Sequence, residues 1–370
     1  MPCDALYLHI PFCQRKCPYC DFYSVPATRA QIEAYTTALL RALQTCPYPL
    51  APLNTVYFGG GTPLLLGAER IIQLLDLLQQ RFQIAAAAEI TLECNPHSSL
   101  KSELVRLQRA GVNRISLGMQ SANDQQLQEL GRLHTAQDVL IAAQAAREAG
   151  IPHLSLDLML ATPGQTKQDV LQAIQLCDRA GAEHVSAYLL KVEEGTPFAA
   201  AHIERRCPDE EQQADLYLYA VEMLAQYGYV QYEISNFARD GKTARHNLKY
   251  WNCQEYLGVG PSAHSYYAGK RFYFPRRLGE FVENSSVWSL VEQDGAGGSL
   301  AEYLMLRLRL NEGVIWEQLA ERFPLYERSR LEARAKSLPS QLLTCDEAGL
   351  RLTPEGFLVS NAILGTLLDF

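Results

Sequence analysis

The feature that most limits the fold of this chain is a sixfold alternation of short extended runs with longer helical patterns across its first half, about 190 residues. The extended runs are 5–12 (ALYLHIPF), 55–61 (TVYFGGG), 89–94 (EITLEC), 113–119 (NRISLGM), 154–160 (LSLDLML) and 184–190 (HVSAYLL). Thr28 can cap a helix running to about Cys46, with Ile32, Tyr35, Leu39, Leu40 and Leu43 on one stripe. A second helix, 69–82, turns Ile71, Leu74, Leu75 and Leu78 inward. Helices at 100–110, 123–130, 135–149 and 166–180 follow, with Gly111, Gly150 and Gly181 as stops. The strands read as apolar on both faces, as a parallel sheet covered by helices requires. A doubly wound open sheet and a full or partial (β/α) barrel fit this pattern equally well. No G-x-G-x-x-G opens a helix after the first strand, which argues against a dinucleotide fold. In either architecture the functional side chains belong at the C-terminal ends of the strands.

The character changes after Leu190. A long helix from Pro208 to about Tyr227 precedes two strand-like runs, 229–235 (YVQYEIS) and 270–275 (KRFYFP). These flank the stretch 246–267, HNLKYWNCQEYLGVGPSAHSYY. Segment 285–298 has few long apolar residues and reads as a linker or surface loop. Helices at about 299–309, 313–323 and 329–338, two short strands and a last helix from Pro354 then resemble a winged-helix module. The chain thus divides into 1–235, a connecting segment 236–284 that belongs to the core or a lid, and 299–370. The basic residues of the last part (Arg307, Arg309, Arg328, Arg330, Arg334, Lys336) are offset by Glu312, Glu317, Glu321, Glu327 and Glu332. The net charge is −8, from 33 basic and 41 acidic residues, so a nucleic-acid surface is not expected. No apolar run reaches the roughly 20 residues that span a bilayer, so membrane association is peripheral at most. The N-terminus lacks the basic start and cleavage site of a signal peptide, which points to the cytoplasm.

Ten cysteines in such a chain are better read as metal ligands or catalytic groups than as a disulfide framework. Cys13, Cys17 and Cys20 form C-x3-C-x2-C on the loop leaving the first strand. Thiolates bind soft metals and iron–sulfur clusters, and three of them can hold three irons of a cubane while the fourth stays open. The competing reading is a fragment of a zinc knuckle, or simple buried thiols. Zinc normally takes four protein ligands, and no second pair follows downstream. The second strand ends in Gly59-Gly60-Gly61-Thr62-Pro63, where missing Cβ atoms let a ligand meet the backbone beside the cysteine loop.

The pairing of YLHIPFCQRKCPYCDF with FGGGTP resembles the radical S-adenosylmethionine (SAM) superfamily. Within it, the chain is similar to the branch holding the oxygen-independent coproporphyrinogen oxidases and the HemW haem chaperones. The resemblance continues through LECNP, GVNRISLGMQS, LGRLH, LDLMLATPGQT, YEISNFAR, HNLKYW, GVGPSAHS and LTPEGF. It implies an α/β fold: a partial (β/α)6 TIM-type barrel with a smaller C-terminal, winged-helix-like α+β domain. It further implies that Cys13, Cys17 and Cys20 ligate a [4Fe–4S] cluster whose open iron is chelated by SAM. Gly60, Gly61 and Thr62 would receive the SAM amino group, and Glu93 the ribose or sulfonium region. Gln120, Arg132 and Asp157 would add cofactor contacts, Arg132 offering its fork to a carboxylate. Tyr7 and Tyr19 would line the cluster and the adenine. An adenosyl radical, formed with an electron from a flavodoxin or ferredoxin, would serve a radical enzyme of this branch, with 246–267 or the C-terminal domain as lid.

Two activities compete within the branch, and a radical SAM enzyme acting on some other substrate is a third reading. The oxidase pattern has a further cysteine two residues after Cys20, where this chain has Phe22, and a longer segment before the cluster than the 12 residues here. His246, Asn247, Tyr250 and Trp251 match the HNxxYW motif of the chaperones. The resemblance therefore implies haem as cargo, haemoproteins as acceptors, and a homodimer as an assembly to test. His246 is the candidate axial ligand, with Tyr250 and Trp251 as flat faces for a porphyrin and Arg245 and Lys249 for its propionates. His264 and His9 are rivals for the iron. The chain departs from the family pattern at Leu64, Cys94, Ala122, Ala161 and Thr162, and none of these is a cluster ligand.

Overall fold

The computed structural model describes residues 2–96 and 100–368. Strands β1 (Ala5–Ile10), β2 (Leu53–Gly60), β3 (Ile84–Cys94), β4 (Arg114–Gln120), β5 (His153–Leu160) and β6 (His184–Leu189) lie parallel in sequence order. They alternate with α1 (Arg29–Gln44), α2 (Ala68–Phe82), α3 (Leu100–Arg109), the pair α4 (Asp124–Glu129) and α5 (Ala136–Glu148), and α6 (Lys167–Arg179). Thr28, Thr135 and Thr166 start α1, α5 and α6 with capping boxes, each hydroxyl accepting from the third helical amide. The fold is the six-unit α/β core expected.

One expectation about the strands is corrected. They are not apolar on both faces but alternate strictly, with polar side chains turned into the barrel. In β4, Ile115, Leu117 and Met119 are fully buried in the layer under the helices, whereas Arg114, Ser116, Gly118 and Gln120 line the lumen. In β3, Ile90 and Leu92 are set against Thr91 and Glu93; in β5, Leu156, Leu158 and Leu160 against Ser155, Asp157 and the one apolar inward residue of that strand, Met159. Only the helix-facing side has to exclude water, so the core is one-sided. The interior is a polar chamber.

The rest of the chain extends this sheet at both edges. The run 229–235 is not one strand: β7 (Val230–Gln231) turns back into β8 (Asn236–Ala238), which pairs antiparallel with β6. HNLKYW forms a short helix, Arg245–Trp251, and β9 (Leu257–Val259) then docks parallel to β1. That helix lies not over the barrel mouth, as a lid would, but at the opposite end. Its first amides, Arg245 N and His246 N, donate to the Glu89 carboxylate (3.1 and 2.9 Å), and Lys249 Nζ pairs with Asp4 (2.7 Å). Segment 285–298 is likewise not a free linker. Its few apolar residues are docked: Val287 is fully buried and Trp288 Nε1 donates to the Ala42 carbonyl of α1 (2.8 Å). It ends in β12 (Glu292–Ala296), the third strand of a sheet with β10 (His264–Tyr267) and β11 (Lys270–Tyr273).

Helices Leu300–Arg307, Trp316–Arg322 and Arg328–Ala335 then pack with a sheet of β13 (Val314–Ile315), β14 (Leu343–Cys345) and β15 (Gly349–Leu352). The expected helix 313–323 begins only at Trp316 because Val314 and Ile315 pair with β15, giving the wing a third strand. Arg307 is buried, donating from Nε to the Gly313 carbonyl and pairing with Glu312. The unit abuts the barrel where Ile234 N donates to the Arg309 carbonyl and Asn311 N to the Tyr232 carbonyl.

Glu89 and Arg114 close the floor of the chamber as a buried ion pair (3.0 Å), each side chain 4% exposed. Glu89→Gln would leave Arg114 buried without its counter-ion, with only the Lys242 and Thr243 carbonyls to accept from it, and should destabilise the protein by about 3–5 kcal/mol in urea denaturation.

Candidate functional site

The chamber opens at the C-terminal ends of the strands into a cavity of about 490 Å3. One wall is the loop after β1. Its neck is closed by Cys13 N donating to the Val25 carbonyl (3.1 Å) and Val25 N to the Pro11 carbonyl (2.9 Å). Phe12, fully buried and edge-on to Tyr35, anchors that neck in the core. Phe198 N donates to the Pro18 carbonyl (3.0 Å) and Arg15 Nη2 to the Gly131 carbonyl (2.6 Å), which fixes the far side of the loop. Cys13, Cys17 and Cys20 are therefore held half-buried, as free thiols, on a braced loop.

The glycine run does more than admit a ligand. A Cβ on Gly61 would strike the Phe12 carbonyl, and one on Gly60, at φ +107°, would strike the His9 ring. Without those atoms Gly61 N donates to the Ile10 carbonyl (2.8 Å) and Thr62 N to the Phe12 carbonyl (2.6 Å). Thr62 Oγ1 then lies 3.7 Å from Cys13 Sγ and accepts from Asn95 Nδ2 (2.9 Å). The glycine loop and the cysteine loop are one joined unit.

Glu93 projects from β3 beside them. It accepts from the Tyr57 hydroxyl at Oε1 (2.7 Å) and from Gly60 N at Oε2 (3.1 Å), while burial pushes its pKa up to about 7. Asp157 accepts from Ser116 Oγ (3.0 Å) and is pushed up to about 6, again by burial. Arg132 donates from Nη2 to Asn95 Oδ1 (2.6 Å) and the Gly118 carbonyl (2.8 Å), and from Nη1 to Cys17 Sγ (3.5 Å). Gln120 ends β4 in the left-handed region, at φ +67°, which turns its side chain towards the cavity. Cys13, Cys17, Cys20, Tyr19, Gly60, Gly61, Thr62, Glu93, Gln120, Arg132 and Asp157 all border this one cavity.

Other sequence candidates lie elsewhere. Tyr7 does not line this cavity. It hydrogen-bonds with His9 Nδ1 (3.0 Å) and faces a neighbouring cavity of about 320 Å3, which also meets His246, Tyr250 and His264. His246 is 0% exposed, with Nδ1 bonded to Thr55 Oγ1 (2.8 Å) and Nε2 to the Tyr250 hydroxyl (2.7 Å); burial lowers its pKa to about 3. Trp251 borders neither cavity. Sequence reasoning passed over Tyr57, which holds Glu93, and Asn95, which links Thr62 to Arg132. Both were legible from the alternation, Tyr57 two residues before Gly59 and Asn95 two after Glu93 on the inward face.

The thiols suit the cofactor that the superfamily carries. Three thiols stand on one braced loop, whereas zinc normally takes four protein ligands. A cubane takes one thiolate per iron and needs them spaced apart.

The two raised carboxyls of the site, together with Glu233, which its own burial pushes up to about 7, set a pH dependence. Their protonated forms are favoured in the fold, so the stability they contribute is full below the ordinary carboxylate range and is lost as pH rises. The cofactor-free protein should therefore lose stability from about pH 4.5 to about pH 7 in urea titrations, and Glu93→Gln should flatten the upper part of that decline.

Residues 7–177 match the family model for the radical SAM superfamily, and residues 299–359 that for the HemN C-terminal domain. A relative from Mycobacterium tuberculosis, named heme chaperone HemW, is 36% identical over 98% of this chain and 94% of its own length. The HemW of Lactococcus lactis is 32% identical over 97% of this chain and 96% of its own. The Bos taurus mitochondrial radical S-adenosyl methionine domain-containing protein 1 is 33% identical over 99% of this chain and 87% of its own. The solved structure of coproporphyrinogen III oxidase (HemN) from Escherichia coli superposes with a TM-score of 0.82 at 23% identity, covering 99% of this chain and 90% of that one, which establishes the shared fold. With relatives of this identity along nearly its whole length, and the cysteine and glycine loops joined as described, the chain belongs to the HemW family of the radical SAM superfamily.

Proposed function

We propose that this protein binds haem and delivers it to haemoproteins, carrying a [4Fe–4S] cluster and SAM in its barrel. The observation that carries the reading is the full-length similarity to proteins named as haem chaperones. The cavity chemistry supports it against the oxidase alternative. A porphyrinogen substrate brings several propionates, which call for free cations. Of the cations bordering the main cavity, Arg114 is held by Glu89, Arg132 by Asn95 and Cys17, and Arg15 by the Gly131 carbonyl, which leaves exposed Lys16 as a single cation for several propionates. At the position of the oxidase's additional cysteine stands Phe22, 68% exposed at the cavity rim.

In this reading Cys13, Cys17 and Cys20 hold the cluster, and Gly60, Gly61, Thr62, Glu93, Gln120, Arg132 and Asp157 orient SAM, with Tyr19 against the same wall. When bound, the cluster supplies a one-electron centre with an open iron for SAM. Tyr57 and Gly60 fix the Glu93 carboxylate, and Asn95 fixes Arg132 and Thr62 relative to each other. Residues 1–235 form the cofactor-bearing part, 236–284 its haem-side flank and 299–370 a packing module. Haemoprotein acceptors, a flavodoxin- or ferredoxin-type electron donor and a homodimeric state belong to the same proposal. So does a cytoplasmic location, to which ten free cysteines are suited. No helix among the described residues is long and apolar enough to cross a membrane.

The test is anaerobic reconstitution followed by haem titration. Wild type should hold about four irons, lose them in Cys17→Ser, show a Soret band with added haem, and leave coproporphyrinogen unconverted. Zinc in place of iron would overturn the cofactor assignment, and conversion to protoporphyrinogen would overturn the chaperone reading.

A further inference from the structure

The HNxxYW histidine is poorly placed to hold iron. His246 is fully enclosed, both ring nitrogens are hydrogen-bonded, and its helix is pinned by Glu89 and Asp4 at the floor of the barrel. His9 is in the same position, with Nδ1 on the Tyr7 hydroxyl and Nε2 on the Tyr23 carbonyl (2.9 Å). His184 spends both nitrogens on Ser155 and Tyr232, and His134 is buried against the Met119 carbonyl. His153 and His202 each give a nitrogen to a carboxylate and border neither cavity. His264 differs from all of these. Among the described histidines it is the exposed one with neither ring nitrogen hydrogen-bonded.

Its surroundings fit a porphyrin. His264 stands at the rim of the cavity of about 320 Å3 whose wall is built by Tyr7, Tyr57, Tyr250 and Tyr256, with Glu93 and Asn247 as its polar part. Tyr250 and Tyr256 meet edge to face at 4.4 Å and give the cavity that His264 borders an aromatic wall. The His264 ring stacks on Tyr273 (centroids 5.1 Å apart, planes at 23°), which fixes its plane and leaves its edge, with the nitrogens, free. Arg276 bears on His264 electrostatically, is half-exposed, and has only a loose pairing with Asp21 (3.4 Å), so it can turn to a propionate.

Resting on the haem-carrier reading, we infer that His264, not His246, is the protein's axial ligand to haem iron. His246 is a positioning residue. Its Nε2 holds the Tyr250 hydroxyl and its Nδ1 locks to Thr55, so the motif shapes the aromatic wall from behind. Arg276 is the propionate partner.

Haem titration of the full, reconstituted chain tests this, with wild type, His264→Ala, His246→Ala and Arg276→Gln side by side. Wild type should give a Soret band typical of histidine ligation. His264→Ala should bind haem about tenfold or more weakly with a shifted band, and free imidazole should restore the wild-type spectrum. A packing role alone would not be rescued in that way. His264 is exposed, so its loss leaves the fold intact by circular dichroism. His246→Ala, where it folds, should keep the band position while affinity falls, and Arg276→Gln should weaken binding without moving the band. An unchanged band and affinity in His264→Ala would overturn the assignment while leaving the haem-carrier reading in place. A wild-type chain without any Soret band would instead defeat the reading on which it rests.

Discussion

The site depends on one backbone contact, the Thr62 amide donating to the carbonyl of Phe12. It joins the loop that carries the cysteines to the loop that follows the second strand. It exists only because Gly61 has no Cβ to strike that carbonyl. From this junction Thr62 reaches Cys13 on one side and Asn95 on the other, and Asn95 reaches Arg132, which returns to Cys17. Four strand ends are thus tied into one ring before any cofactor is considered. Such a ring holds thiols at fixed spacing, as a cluster with an open iron requires.

The same economy governs the barrel below. Hydrophobic stabilisation comes from the layer between strands and helices, so the inward faces are released for polar groups. That release allows Glu93 and Asp157 to sit with raised pKa values where a charged cofactor would meet them. It also requires a plug, and the Glu89–Arg114 pair with the helix Arg245–Trp251 provides one. The HNxxYW motif is part of this plug on one side and of an aromatic cavity on the other. Its histidine therefore couples the two, through Thr55 in the sheet and Tyr250 in the cavity wall.

Much of this was legible in the sequence. The six β–α units, the capping threonines and the cysteine and glycine loops follow from local patterns that tertiary packing did not override. The polar lumen is legible too: R-I-S-L-G-M-Q is a period-two pattern, which the overall apolarity of the runs masks. The strand Glu292–Ala296 left little signal, since its polar residues gain order from β11 rather than from a buried face. The strand Leu257–Val259 was hidden inside a motif-rich stretch that drew attention to its side chains. The roles of His246 and Tyr7 were beyond reach. Which hydrogen bonds a histidine makes depends on Thr55 and Tyr250, brought to it by the fold, and no local spacing encodes that.

Everything above converges on a chain that hands haem to other proteins. The most direct measurement mixes the haem-loaded, cluster-reconstituted chain with a haem-free haemoprotein and follows the spectrum and activity of the acceptor. The acceptor should gain haem and activity as the carrier's Soret band declines. Haem delivery is contradicted if the carrier keeps its haem, or if the acceptor fills no faster than with free haem at the same concentration.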